Sequence, residues 1–420
     1  MKTIDWLSHL DSNPMNEKRD PSPPPLARRV RELPTSGIRR FFDIVSQMKD
    51  VISLGVGEPD FVTPWVIREA AIYSLERGQT SYTSNYGLLE LRQQIGAYLY
   101  RLYGVHYRPD DEILVTVGVS EAMDLAMRAI LDPQDEVLVP EPCYVSYKPC
   151  VSLAGGVPVG IPTTFAQGFQ ISAAQLDSAA TPRTKAVLLG YPSNPTGATM
   201  PREALIEIVE LARQRNWYIV SDEIYDRLTY DQEHTCVASL PGAWARTITL
   251  NGFSKSYAMT GWRIGYACAP VAVLHEMMKI HSYTILCAPI SGQKAAIEAL
   301  KSGEGAVQEM VAEYNRRRRL IVDGLNEIGL TCHLPNGAFY AFPSIESTGL
   351  TAEEFAERLL FEQQVAVVPG TAFGAGGAHH IRCSYATSTE KIEIALRRMH
   401  AFVQKLSPTE KRATAPKSFK

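Results

Sequence analysis

Lys255 is the residue whose setting most invites chemistry. It lies in NGFSKSYAMTGWRIG, residues 251–265, directly after an apolar strand candidate and among small and hydroxyl-bearing side chains. That is a poor place for a lysine whose task is solubility. An amine so placed can condense with an aldehyde cofactor to a Schiff base, and a nearby hydroxyl and guanidinium can hold that cofactor's phosphate. Ser254 and Arg263 offer both, the arginine in a charge-assisted and partly bidentate way. Asp222, in SDEIYDRL at 221–228, closes the strand candidate YIVS, the position at which open parallel sheets present their ligands. A carboxylate facing a pyridine nitrogen there would keep the ring protonated and make it an electron sink. Tyr225 can donate its phenol to a ring oxygen. Asn194, in YPSNPTG at 191–197, can offer its amide N–H₂ to the same atom. Each has a plainer explanation in isolation: a lysine closing a strand end, an aspartate capping the next helix, a turn built from proline and glycine.

A fourth loop follows another strand candidate. In VTVGVSEAM, residues 115–123, Gly118 permits close approach, and the amides of Val119 and Ser120 open a helix whose N-terminus attracts phosphate. Neither the dinucleotide fingerprint nor the Walker pattern is present here, which argues against NAD or ATP as the owner of that phosphate.

The elements that must position these loops are readable from apolar patterning. Short runs at 113–117, 137–140, 186–190, 218–221 and 247–250 are rich in apolar and β-branched residues, as expected for strands covered by helices on both faces. Helices are predicted over 88–100, 120–131 and 202–215, with Thr63 as the N-cap of a further helix and Pro64 at its first position. The helix over 202–215 separates two strands and makes a right-handed βαβ unit. These features predict a large three-layer α/β domain with a mostly parallel sheet over residues 60–285. After 285 the pattern changes to helices at 289–300, 306–325, 351–361 and 390–404, with strands at 338–342 and 365–368: a smaller α+β domain over 286–405. Residues 1–36 read as a Pro-rich tail or arm. Residues 37–59, with an amphipathic helix over 37–49, read as a segment at the small domain and the site entrance, and 406–420 as a polar tail.

Composition narrows the function classes. The 420 residues carry 42 basic and 45 acidic side chains, a net charge of −3, so no field of one sign implies a polyanionic partner. The run Arg316 to Arg319 reads as a solvated helical surface whose long side chains cover apolar area. Seven scattered cysteines form no zinc pair, leave a disulfide framework incomplete, and suit a reducing compartment. No signal peptide or membrane-spanning stretch is expected, and a cytoplasmic protein bound to neither membrane nor nucleic acid nor metal follows.

Taken in order, SLGVGEPDF, YTSNYG, NPTG, DEIY, NGFSK, TGWRIGY and RCSYAT resemble the class I/II aminotransferases of the type I pyridoxal-phosphate fold. The resemblance spans about residues 35–405 and is nearest to the microbial aspartate and aromatic branch. It implies pyridoxal 5'-phosphate as cofactor, with Lys255 as the lysine that binds its aldehyde and moves the substrate Cα proton. Asp222 resembles the ring-nitrogen carboxylate, and Asn194 and Tyr225 the ligands of the ring oxygen. Val119, Ser120, Ser254 and Arg263 match the phosphate pocket, and Tyr144 the ring stacked on the cofactor. Tyr82 resembles a tyrosine reaching the phosphate of the neighbouring subunit, which implies a homodimer with shared sites. Arg382 resembles the clamp on the substrate α-carboxylate, aided by Gly57 and Asn194, with Ile38 near the substrate side chain.

Breaking a Cα–H bond requires an electron sink, a base within reach and a fixed carboxylate. Asp222, Lys255 and Arg382 supply one of each. The expected reaction moves an amino group from an L-amino acid, aspartate or aromatic, to 2-oxoglutarate by a ping-pong route through pyridoxamine phosphate. The alternatives are another donor (alanine, branched-chain, methionine or diaminopimelate-type) or a lyase or racemase of the same fold. Arg39 and Arg40 are candidates for gripping a distal carboxylate, whereas Ile38, Phe41 and Phe42 would suit an apolar or aromatic side chain. A ligand-sensing protein that keeps the fold is disfavoured, since no helix-turn-helix fits ahead of Gly37 and Lys255 is present.

Overall fold

Strands whose side chains are apolar on both faces need a helical layer on each side, and that requirement organises the computed structural model, which describes residues 24–33, 48 and 50–406. In chain order its strands are β1 (Ile52–Ser53), β2 (Ile113–Thr116), β3 (Glu136–Glu141), β4 (Val157–Pro162), β5 (Thr184–Leu189), β6 (Tyr218–Asp222), β7 (Thr247–Gly252), β8 (Gly265–Cys268), β9 (Tyr340–Ala341), β10 (Val365–Ala366), β11 (Val368–Pro369) and β12 (Ile381–Ser384). Seven of them form the central sheet in the order β2-β8-β7-β6-β5-β3-β4. Strand β8 is antiparallel to both neighbours, and the other pairs are parallel.

Alternate strand residues feed opposite cores. On one face Leu114, Val137, Val139, Leu188 and Val220 pack with the helices Gly118–Ile130 and Val271–Thr284. On the other, Leu138, Val187, Leu189 and Ile219 meet the helix Arg202–Arg215, while Ile113 and Val115 meet the helices Trp65–Glu76, Leu89–Tyr103 and Ile290–Ser302. The three-layer, mostly parallel α/β architecture expected from the apolar runs is therefore present. Strand β4 escaped the sequence reading because VPVGIP carries two prolines and a glycine. It is the sheet's edge, where a missing N–H is tolerated. Strand β8 also escaped, because GYAC opens on a glycine and has no β-branched residue.

The C-terminal helices Glu304–Glu327, Ala352–Gln363 and Thr389–Lys405 pack around the antiparallel sheet β11-β12-β9 and the parallel pair β1-β10. Thr351 caps the second of these helices and Ser388 the third, each side chain accepting from a backbone N–H of the first turn. The helix Ile290–Ser302, grouped by sequence with these C-terminal elements, instead sends Ala295, Ala296 and Leu300 into the large core beside β2. Residues 24–33 belong to a separate unit, Met1–Pro34, where a single helical turn, Arg28–Arg31, is exposed and Arg28 pairs with Glu32. The helix predicted over 37–49 lies outside the described residues, apart from Met48.

Two local expectations are corrected. Thr63 does not cap the helix after it: the helix starts at Trp65 with Pro64 as its N-cap, and the Thr63 hydroxyl donates instead to the Ala258 carbonyl. The arginine run is not all solvated. Arg317 and Arg318 fall on the same stripe as Val307, Met310, Tyr314, Ile321 and Leu325, and both are buried. Arg318, 0% exposed, donates to the Pro335 carbonyl and to Asp231 and lies against the Tyr230 ring. Arg317 donates to Asp60 and Glu313. Buried guanidinium groups persist here because each is paired and hydrogen-bonded.

One packing detail ties the sheet to the loop after β2. A Cβ on Gly265, the first residue of β8, would lie 2.6 Å from both the Gly118 carbonyl carbon and the Val119 nitrogen. Gly265→Ala is therefore expected to cost about 1–3 kcal/mol through overpacking, read as a lower urea midpoint; an unchanged midpoint would contradict this contact.

Candidate active site

Because β2, β3, β5, β6 and β7 run in one direction, their carboxyl ends deliver five loops to one edge of the sheet. A cavity of about 520 Å³ opens there, lined on its large-domain side by Val119, Ser120, Tyr144, Asn194, Asp222, Tyr225, Ser254, Lys255 and Arg263. Gly57, Tyr340 and Arg382 close it from the other side. Residues more than 300 positions apart in sequence thus share one space. Of the residues singled out by sequence, Tyr82 does not line it and is 82% exposed. Ile38, Arg39, Arg40, Phe41 and Phe42 lie outside the described residues.

Lys255 follows β7 and its Nζ donates to the Gly57 carbonyl at 2.6 Å. Burial lowers its pKa to about 8, and the nearby Arg382 guanidinium adds to the effect. About half of the amine is therefore neutral at about pH 8, the form a nucleophile or base requires. Asp222, the last residue of β6, is 7% exposed. Its Oδ2 accepts from the Tyr147 hydroxyl at 2.9 Å and its Oδ1 from the Ile224 N–H at 3.2 Å. Burial raises its pKa to about 6 against both hydrogen bonds. A carboxylate in that condition is stabilised by a cation placed beside it.

Arg382, on β12, is buried beneath the rings of Tyr340 and Phe373, its guanidinium carbon 4.5 and 4.9 Å from their centroids. Its Nη1 donates to Asn194 Oδ1 at 2.9 Å and its Nη2 to the Gly55 carbonyl at 2.5 Å, while Nε has no partner among the described residues. A guanidinium has five N–H donors, so donors remain for a carboxylate entering the cavity. Burial lowers the pKa of this arginine, so an anion arriving there is favoured electrostatically. Asn194 spends its carbonyl oxygen on Arg382, which leaves its N–H₂ free to donate. Tyr225 hydrogen-bonds the Tyr340 hydroxyl at 2.8 Å.

At the opposite rim the helix Gly118–Ile130 begins with Gly118 at φ +73°, directing the first amides, including those of Val119 and Ser120, at the cavity. A Cβ on Gly118 would meet Arg263 Nη2 at 2.6 Å, so the guanidinium lies against the helix start. Arg263 itself has a left-handed backbone, φ +57°, and donates to the Thr260 carbonyl. A helix N-terminus, a guanidinium and the Ser254 hydroxyl at one rim suit a phosphate. With an amine, a carboxylate needing a cation, a free amide donor and the Tyr225 phenol between them, these residues fit pyridoxal phosphate.

Tyr147, Tyr340 and Gly55 are among the residues at the site that were not anticipated. Tyr147 supports Asp222, Tyr340 bridges Tyr225 and Arg382, and Gly55 anchors Arg382 through its carbonyl. Tyr340 was visible only as part of a strand, and Tyr147 only as an aromatic three positions after Tyr144. Their roles arise from contacts that no local spacing encodes.

Comparison with known proteins gives the same direction. The sequence profile described as aminotransferase class I and II matches residues 49–399. The Bacillus subtilis protein YugH, whose name gives it an aminotransferase activity without a substrate, is 54% identical over 376 residues, covering 90% of this chain and 97% of its own. An aspartate aminotransferase from Pyrococcus abyssi is 46% identical over 367 residues, covering 87% and 94%. The crystal structure of an aromatic aminotransferase from Pyrococcus horikoshii superposes with a TM-score of 0.83 at 44% identity, covering 87% of this chain and 98% of that one.

Lys255 should react with a small acylating reagent at a rate rising through about pH 8, well below an exposed lysine at about 10.4. Peptide mapping of cofactor-free protein across pH reads this, and a midpoint near 10 would remove the claim that burial activates the amine.

Proposed function

This chain belongs to the class I and II aminotransferase family, enzymes that use pyridoxal phosphate, and from that premise we propose that it transfers the amino group of aspartate or an aromatic L-amino acid to 2-oxoglutarate. The observation that carries the reading is the meeting of Lys255, Asp222 and Arg382 in one cavity. When bound, pyridoxal phosphate supplies an aldehyde that condenses with amines and a ring that accepts the electron pair released from a Cα–H bond.

In this reading Arg382 takes the substrate carboxylate on its unused N–H donors and so orients the Cα–H bond toward Lys255. Lys255 Nζ removes the Cα proton and returns it, and its lowered pKa matches that task. Asp222 keeps a proton on the ring nitrogen, and the cation there in turn holds Asp222 ionised. Asn194 and Tyr225 donate to the ring oxygen. Val119, Ser120, Ser254 and Arg263 would hold the phosphate, and Tyr144 would supply an aromatic wall to the ring. In a ping-pong order the first substrate would leave as its 2-oxo acid with its nitrogen held back on the cofactor, and 2-oxoglutarate would then enter and leave as glutamate carrying that nitrogen.

Among the described residues lining the cavity, the cations are Lys255, Arg263 and Arg382, each already engaged in this scheme. The remaining wall includes Met123, Tyr144, Val145 and Cys150, which supports an aromatic or apolar donor. A dicarboxylate needs a further cation, for which Arg39 and Arg40 are the candidates from this chain. The reading includes a two-fold dimer with Tyr82 reaching the partner's phosphate. Large exposed apolar side chains on and near the helix Trp65–Glu76, among them Val62, Trp65, Tyr73 and Leu75, support it. A cytoplasmic location is supported by seven cysteines that are all free thiols. Among the described residues no helix is long and apolar enough to cross a membrane.

Borohydride reduction of the loaded enzyme should fix the cofactor on the Lys255 peptide, and Lys255→Ala should lower turnover by at least about 10³-fold. Arg382→Ala should keep cofactor bound yet lower kcat/KM by about 2–5 kcal/mol equivalent, as for removal of one partner of a buried charge pair. Label on another lysine, or normal substrate use without Arg382, would overturn the assignment. A donor panel of Asp, Phe, Tyr, Ala, Leu, Met and Lys with 2-oxoglutarate reads the substrate class, and elimination or racemisation without conversion to the pyridoxamine form would replace transamination.

A further inference from the structure

Tyr340 sits where the two halves of the cavity meet, and no step above uses it. It lies on β9 beside β12, in register with Ser384, and is 0% exposed. Its hydroxyl is 2.8 Å from the Tyr225 hydroxyl, while the face of its ring lies 4.5 Å from the Arg382 guanidinium carbon. The Tyr340 hydroxyl also presses on Gly57, where an added Cβ would lie 2.5 Å from it. One side chain therefore touches the phenol that follows β6, the arginine on β12, and the glycine whose carbonyl accepts from Lys255.

A phenol has one proton to give and two lone pairs to receive. If Tyr225 spends its proton on Tyr340, it has nothing to donate into the cavity. If Tyr340 donates, the Tyr225 proton is free to point at a ring oxygen beside the Asn194 amide. An anionic oxygen in the cavity selects the second arrangement, since only that one gives it a donor. The ring face meanwhile gives Arg382 a fixed floor, so that its N–H edges rather than its plane face an incoming carboxylate.

We propose that Tyr340 is a positioning residue with two separable tasks: its hydroxyl donates to the Tyr225 oxygen and so strengthens the Tyr225 proton as a donor into the cavity, and its ring sets the plane of the Arg382 guanidinium. The inference rests on reading Tyr225 as a ring-oxygen donor. The two tasks fall on different observables. Weaker donation from Tyr225 leaves more negative charge on the ring oxygen, which holds a neighbouring proton on the Lys255 nitrogen more tightly. The pH midpoint of the visible absorbance therefore moves up. A tilted guanidinium instead weakens carboxylate binding and raises KM.

The test uses loaded enzyme and four variants, with thermal melts to confirm folding. Tyr340→Phe keeps the ring and should move the absorbance midpoint up by about half a pH unit to one unit, the size of one hydrogen bond, with KM for the amino donor within about twofold. Tyr340→Leu should shift the midpoint similarly and also raise KM by about tenfold, as for a lost partly desolvated cation–π contact. Tyr225→Phe should raise the midpoint at least as far, and adding Tyr340→Phe to it should change the midpoint no further. A midpoint unmoved or lowered by Tyr340→Phe overturns the first task, as does an additive double variant. An unchanged KM in Tyr340→Leu overturns the second. If Tyr225→Phe itself leaves the absorbance titration untouched, the reading of Tyr225 fails, and the hydroxyl's task fails with it. Failure confined to the Tyr340 variants leaves that reading standing.

Discussion

A carboxylate enclosed by protein is costly to keep ionised unless a cation stands against it. Asp222 meets that condition only incompletely from the chain itself. Two hydrogen bonds reach it, from Tyr147 and the Ile224 amide, yet burial still pushes its pKa to about 6. Lys255, one of the cations on the same cavity, has its own charged form disfavoured by burial and by Arg382. Arg382 is weakened by burial in turn. The cavity thus holds an anion and cations that the protein has desolvated without pairing them to one another, an arrangement that clusters at functional sites. In the proposed reading the missing partners are a protonated ring nitrogen for Asp222 and a substrate carboxylate for Arg382.

Holding such groups apart requires a stiff frame, and the sheet provides it. The parallel strands β5, β6 and β7 end side by side, so Asn194, Asp222 and Lys255 are delivered by adjacent strand ends. The reversed strand β8 brings Gly265 against Gly118 and Val119 so closely that a single methyl would collide with backbone. Close packing of this kind transmits small shifts rather than absorbing them. The start of the helix Gly118–Ile130, its amides and the Arg263 guanidinium are therefore placed by the same contacts that close the sheet.

Several signals in the chain survived translation into three dimensions because they are local. Short runs rich in apolar and β-branched residues became the strands β2, β3, β5, β6 and β7, since such side chains suit a strand covered on both faces. Loops that carry chemistry directly after such runs, at Asn194, Asp222 and Lys255, reached the same edge because parallel strands share their direction. Where local rules competed with tertiary contacts, the contacts prevailed. Thr63 looked like a cap but bonds across 195 positions to Ala258. Arg317 and Arg318 looked solvated, but the helix turns them inward to Asp60, Asp231 and the Pro335 carbonyl.

The chain's own order of residues determined the fold class and set loops able to bind an aldehyde and a phosphate after its strands, because strand patterning and loop chemistry depend on neighbours a few positions apart; the order of its motifs, through the family they resemble, pointed to the cofactor. It did not determine how Arg382 is aimed, which partner holds Asp222, or that Tyr340 links Tyr225 to the carboxylate clamp. Those depend on separations of 75, 115 and 188 positions, for Tyr147 with Asp222, Tyr225 with Tyr340 and Asn194 with Arg382. No periodicity reports such pairings; only the packed chain, by excluding every other arrangement of those side chains, decides them.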